Sequence, residues 1–171
     1  MWDLQLALAL HLLAAAIFVG CNVLLERVVL RLDAIPPREA ARMGELIGTD
    51  IVFINYGALV TAFLSGLYMM WSNGMLADAF TWAFYADAYG RTLGLMMALW
   101  ASLIVTSSVI TFHLRPRLLV KLPFDIKRDA LEQIGAEAMA ANEWMGRLGR
   151  YNLAAGIVAV LSGAVLHYGG L

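Results

Sequence analysis

The sequence predicts an all-α protein, a bundle of four membrane-spanning helices. Three observations lead there. Of 171 residues, 61% are hydrophobic and 15% charged, with a mean hydropathy of +0.73. A soluble domain carries about 45–50% apolar and about 25% charged residues. Four apolar stretches are each long enough to cross roughly 30 Å of hydrocarbon, which takes about 20 helical residues. None holds a charge at its middle, where Asp, Lys or Arg costs about 2.5–3.5 kcal/mol on insertion scales. Open strands would leave backbone groups unpaired in lipid, so helices are the physical solution.

The first span runs near 4–25. It has acidic Asp3 where a signal peptide has a basic n-region, and His11 interrupts its apolar run, so a retained span is expected. Phe18-Val19-Gly20-Cys21 has the outline of a lipoprotein cleavage site, but without that n-region lipidation is not expected. The first connection holds Arg27, Arg31, Arg38 and Arg42. Within it, Pro36-Pro37-Arg38-Glu39 reads as a helix start that leads through Met43 and Ile47 into the second span, near 51–71.

The second connection offers only Arg91 as a basic residue, beside Asp78 and Asp87. Its aromatics, Phe80, Trp82, Phe84 and Tyr85, predict a short helix lying in the membrane interface. The third span, near 92–112, is followed by Arg115, Arg117, Lys121, Lys127, Arg128, Arg147 and Arg150. There Pro123-Phe124-Asp125, with Asp125 as N-cap, opens an amphipathic stretch from Ile126 to Met145. The fourth span, near 151–171, completes a single integral membrane domain over 1–171.

Basic residues set the orientation. Connections one and three are expected to be cytoplasmic, with helical extensions there, and both termini are expected on the outer, periplasmic side of a bacterial inner membrane. Interfacial aromatics agree: Trp2, Trp71 and Tyr168 fall outside, Trp144 and Tyr151 inside.

Several function classes drop out early. A net charge of −1 gives no footprint for a polyanion, so nucleic acid is not a partner. The lone cysteine, Cys21, excludes a disulfide framework and any multi-cysteine metal site. No nucleophile elbow, phosphate loop or zincin motif occurs.

Chemistry is expected at the histidines, because titratable groups inside a membrane are functional candidates by default. His11 lies some seven residues into span one, roughly 10 Å deep at 1.5 Å per residue. His167 lies on the same outer side, so the two can share one layer; His113 closes span three at the opposite interface. Paired imidazoles between helices fit a b-type haem, with His11 and His167 as cofactor and metal ligands. Small residues would admit a flat macrocycle: Ala7, Ala14 and Ala15 in span one, Gly156, Ala159 and Gly163 in span four. Arg91 is the candidate partner for a haem propionate, or else the second half of a helical ion pair with Asp87. The same layer also holds Met69, Met70, Met96 and Met97, and thioether with imidazole suits copper. In the inner half, Asn22, Glu26, Asn55, Thr106, Ser107, Ser108, Thr111 and Asn152 read as hydrogen-bonding glue between helices.

His11 through Gly20, followed by Asn22, resembles the first helix of small CopD-like membrane proteins, a group that includes HemJ-type protoporphyrinogen oxidases. Gly57-Ala58-Leu59 through Gly66-Leu67-Tyr68 resembles their second helix, and spans three and four match in layout. The likeness is nearest to the group's uncharacterised four-span members. It implies a four-helix bundle with haem b, to which the first-helix histidine, here His11, contributes. HemJ-type enzymes also use a lysine in the third helix; span three here has Arg91 at its head and no lysine within it, which leaves enzyme activity open.

The expected function is therefore a membrane-embedded b-type haem protein in electron transfer, alone or within a larger redox complex. Two alternatives stand beside it: a cofactor-free accessory subunit of a respiratory or photosynthetic complex, and a copper-handling protein. Expected partners are the bilayer and either other membrane subunits or further copies of the chain.

Overall fold

The computed structural model describes residues 2–32, 50–118, 128–166 and 168–170. It is all-helical, with no strand among the described residues. Four long helices form the body: α1 (Trp2–Leu32), α2 (Val52–Ser72), α3 (Ala88–Ser108) and α4 (Arg128–Leu166). Each contains a segment long and apolar enough to cross a membrane. The chain is thus built as an integral membrane protein. The expected helix start at Pro36, the Asp125 cap and His167 lie outside the described residues.

The core is made of small and polar side chains, and the large apolar ones face outward. Ala7, Ala14, Ala15, Ala58, Ala62, Ala155 and Ala159 are buried, while Leu6, Leu13, Leu64, Val105 and Leu161 are more than half exposed. In water this pattern would be inverted. In lipid, helices gain little by hiding leucine from equally apolar tails, so close backbone approach and interhelical hydrogen bonds hold the bundle. A few large residues interlock across it. Phe18 is fully buried, its ring centroid 6.0 Å from that of Trp100, and a Cβ at Gly156 would come within 3.0 Å of the Phe18 ring.

Neighbouring helices run antiparallel. His11 meets Ala62 and Ser65, whereas Asn22, further along α1, meets Asn55, earlier in α2. Likewise Asn152 of α4 meets Thr106 and Ser107 late in α3. α1 packs most closely on α2, and α3 on α4; α1 also meets α4, and of these neighbouring pairs α2–α3 touches least.

Two expectations change. The amphipathic stretch and the fourth span are one unbroken helix of 39 residues, about 58 Å long at 1.5 Å per residue. Within it, Ala140–Leu166 is long and apolar enough to cross a membrane. Near its end the Gly170 N–H donates to the Val165 carbonyl, and Gly169 and Gly170 take φ of +99° and +94°. That left-handed backbone costs glycine nothing and would strain other residues. The helix that holds span three also continues past 112. α3 passes into a π-helical turn, Val109–Leu114, and then into Arg115–Leu118.

The connection between α2 and α3 forms a short α turn, Met75–Asp78, and a 3-10 turn, Trp82–Ala86. Phe80 and Trp82 are almost fully exposed, as an interfacial anchor should be. Tyr85 ties the turn down by donating its hydroxyl to the Ala79 carbonyl at 2.6 Å.

Candidate functional site

His11 is half-buried, and its ring is held from another helix. Neighbouring Ala7, Ala14 and Ala15 offer no hydrogen-bonding side chain, so a partner has to come from outside α1. It comes from α2: His11 Nδ1 donates to the Ala62 carbonyl oxygen at 2.7 Å, with Ser65 Oγ a longer second acceptor at 3.3 Å. A carbonyl only accepts, so Nδ1 carries the proton. Nε2 is then the ring nitrogen left for a further partner, the arrangement in which a histidine serves as a ligand.

Glycine makes the approach possible. A Cβ at position 66 would lie 3.2 Å from His11 Cε1 and 3.4 Å from Nδ1. On its other side the imidazole faces Trp100, with ring centroids 6.1 Å apart and planes tilted by 60°. Ser65 donates its own hydroxyl to main-chain oxygens of Thr61 and Ala62, so this knot of polar atoms is satisfied within α2.

His11 stands in the wall of a cavity of about 570 Å³ to which all four long helices contribute. Its size falls within the range of about 300–1,000 Å³ typical of small-molecule sites. The walls are almost wholly apolar: Leu8 and Leu12 from α1, Phe63 and Leu67 from α2, Leu93 and Trp100 from α3, Val160 and Leu166 from α4. Small residues, Ala15, Gly66, Ala159 and Gly163, keep it open. Five methionines, Met69, Met70, Met75, Met96 and Met97, also line it. Tyr89 donates its hydroxyl to the Met75 sulfur at 3.7 Å, and a Cβ at Gly163 would lie 3.7 Å from the Met96 sulfur.

The other predicted site residues lie elsewhere. Arg91 is exposed at the head of α3 and does not line the cavity; its Nη1 donates to the Ala86 carbonyl at 2.8 Å. Asp87 is the N-cap of α3, accepting from the Gly90 N–H at 2.7 Å, and the Arg91 guanidinium turns to the Ala86 carbonyl rather than to this carboxylate. His113 is exposed at the far end of the bundle and accepts from Arg117. His167 lies outside the described residues, though Leu166, beside it in sequence, reaches the cavity wall. Sequence reasoning missed the anchoring role of Ala62, since a main-chain acceptor leaves no trace in residue type. It also passed over Trp100 and Tyr89, whose spacing resembles ordinary helix packing.

The inner-half residues pair as interhelical glue. Asn22 donates to Asn55 Oδ1 at 3.1 Å, Thr106 to Asn152 Oδ1 at 2.5 Å, and Asn152 to Ser107 Oγ at 3.1 Å. No buried side-chain nitrogen or oxygen is left unpartnered among the described residues. Nor do three His, Cys, Asp or Glu side chains converge among them. No family model, curated protein or solved structure matches this chain.

Proposed function

We propose that this chain is a membrane-embedded b-type haem protein that takes part in electron transfer, alone or as a subunit of a larger redox complex. One observation carries the reading. His11 is oriented by the Ala62 carbonyl so that Nε2 is its free nitrogen, and the ring stands in the wall of an apolar cavity of about 570 Å³. The donor set fits the group: an imidazole for the iron, apolar walls for the porphyrin, and alanine and glycine where a flat ring needs close approach. Bound haem would supply a one-electron couple. The protein supplies the ligand, its orientation, and a dry surrounding that tunes the potential.

In this reading His11 and His167 would hold the iron, and Arg91, exposed at the head of α3 outside the cavity wall, would pair with a propionate reaching that surface. Both termini face the periplasm of a bacterial cell, which puts His11 in the outer leaflet of the inner membrane. The likeness of spans one and two to CopD-like proteins points the same way.

The test is an absorbance spectrum of the purified protein. A Soret band with sharp α and β bands on reduction is expected, lost or strongly shifted in His11→Ala and unchanged in His113→Ala. A colourless, metal-free preparation would replace the reading with that of an accessory subunit. A second reading draws on the methionines: five thioethers with His11 around one cavity make a soft donor set for Cu(I). Stoichiometric copper without haem in the purified protein would favour it.

A further inference from the structure

A second groove lies at the opposite end of the bundle from His11, between the end of α3 with its π turn and the middle of α4. It holds about 410 Å³. One wall is the stripe Val105, Val109, His113 and Arg117; the other is Trp144 and Leu148. Val105 is 63% and Val109 38% exposed, so the groove opens outward, toward lipid. The π turn that forms part of this wall, Val109–Leu114, is rare in helices and frequent at functional sites.

The stripe changes character along its length. From Val105 to Arg117 it spans about 18 Å at helical rise, close to the roughly 15 Å of one leaflet of hydrocarbon. Its end toward mid-helix is apolar, and its other end carries His113 and Arg117. Arg117 Nη2 lies 2.9 Å from His113 Nε2. A guanidinium only donates, so Nε2 accepts and the His113 proton sits on Nδ1. Arg117 therefore spends this bond on a neutral acceptor, and no carboxylate meets it among the described residues. Its neighbour across the groove differs. Arg147 is neutralised by Glu143 at 2.6 Å and stacks on Trp144, 5.5 Å from the ring centroid. Among the described residues, the charge at the groove's head with no carboxylate partner is that of Arg117.

An apolar trough of leaflet depth, headed by a cation that meets no carboxylate among the described residues and flanked by an interfacial tryptophan, complements one kind of molecule. We propose that this groove binds an anionic phospholipid, its phosphate on Arg117 and His113 and an acyl chain along Val105 and Val109. Basic pockets between membrane helices hold anionic headgroups in this way. A zwitterionic lipid has the same chain but leaves the Arg117 charge unmatched by any net negative group.

Native mass spectrometry of the full-length protein in detergent tests this, with phosphatidylglycerol and phosphatidylcholine of identical chains as probes. Phosphatidylglycerol should bind tighter by about fivefold, the factor expected for one cation near a membrane anion. Arg117→Gln should abolish that preference and Arg117→Lys should keep it. Val109→Trp, which fills the trough without touching charge, should weaken both lipids. Arg150→Gln removes a charge nearby, on a residue that does not line the groove, and should change nothing. Equal affinity for the two lipids overturns the proposal, as does an equal loss in Arg150→Gln, which would mean general surface attraction. Displacement of the lipid by millimolar inorganic phosphate also overturns it, leaving a bare phosphate site. So does a dimer without lipid adducts, since a second copy would then fill the groove.

Discussion

The Nδ1 of His11 lies 2.7 Å from the main-chain oxygen of Ala62, across a helix interface and 51 positions along the chain. One bond thereby fixes both the position of the ring and the nitrogen that carries its proton. Gly66 is the condition for that bond, because any side chain there competes for the space of the imidazole.

Replacing Gly66 should therefore act through His11. An alanine Cβ, 3.2 Å from His11 Cε1, requires a shift of a few tenths of an ångström. Valine adds branches that the ring cannot avoid while keeping Ala62. Gly66→Val should break the His11–Ala62 bond, and a half-buried donor left without a partner costs about 1–3 kcal/mol. Unfolding in mixed detergent measures the loss. Gly66→Val as stable as the natural protein would show that the ring does not depend on this gap.

The four spans were legible because lipid imposes a coarse rule: about 20 apolar residues without a central charge. Leu4, Trp71 and Phe112 all fall inside the membrane segments found. The turn at Gly169 and Gly170 was not legible, because apolarity continues through Leu166 and only their φ values reveal it. The join at Met145 was equally hidden, since Gly146 and Gly149 read as breakers yet α4 passes straight through them. At the site, His11 could be singled out by depth alone. Its acceptor is a carbonyl that every residue possesses, so only the packing of α1 on α2 could select Ala62.

The Thr106–Asn152–Ser107 cluster should contribute modestly to stability. Asn152 is buried, and it both accepts from Thr106 and donates to Ser107. In membranes such bonds average about 0.6 kcal/mol and reach about 1.7, because the unfolded helices also find partners. A double-mutant cycle of Thr106→Val and Asn152→Leu should give a coupling in that range. A coupling above about 3 kcal/mol would point to a role beyond packing.

Phe18 should be the costliest aromatic to remove. It is fully buried between Trp100 and the gap at Gly156. In water-soluble cores Phe→Ala costs about 3–5 kcal/mol, part of it lost transfer from water. That part shrinks when the separated helices remain in lipid, so the remaining packing loss should be on the order of 2 kcal/mol. Phe53→Ala, at a half-exposed site, should cost less. The reverse ranking in unfolding experiments would place the core elsewhere.

Arg91→Ala separates two functions of the α3 head. Its Nη1 bond to the Ala86 carbonyl is exposed, so stability should change by no more than about 0.5 kcal/mol. If haem binds as proposed and Arg91 pairs a propionate, haem affinity should fall while the iron ligands, and hence the reduced spectrum, stay the same. A changed spectrum in Arg91→Ala would mean that the residue acts on the iron centre.

Orientation decides which leaflet holds His11, and the fold sharpens how to test it. Because the helices alternate, the end of α1, the start of α2, the end of the third span and the start of the fourth share one side. Arg27, Arg115, Arg117, Arg147 and Arg150 all belong to that side, whereas the other end has Arg91 alone, beside Asp78 and Asp87. The positive-inside rule weighs Lys and Arg close to the membrane, and acidic residues count little. The basic end should therefore be cytoplasmic. A phosphatase reporter fused after Asn73 should be active, as it is only in the periplasm, and the same reporter fused after Leu122 should be silent. The opposite pattern would move His11 and its cavity to the cytoplasmic leaflet, where any electron partner would have to approach from inside the cell.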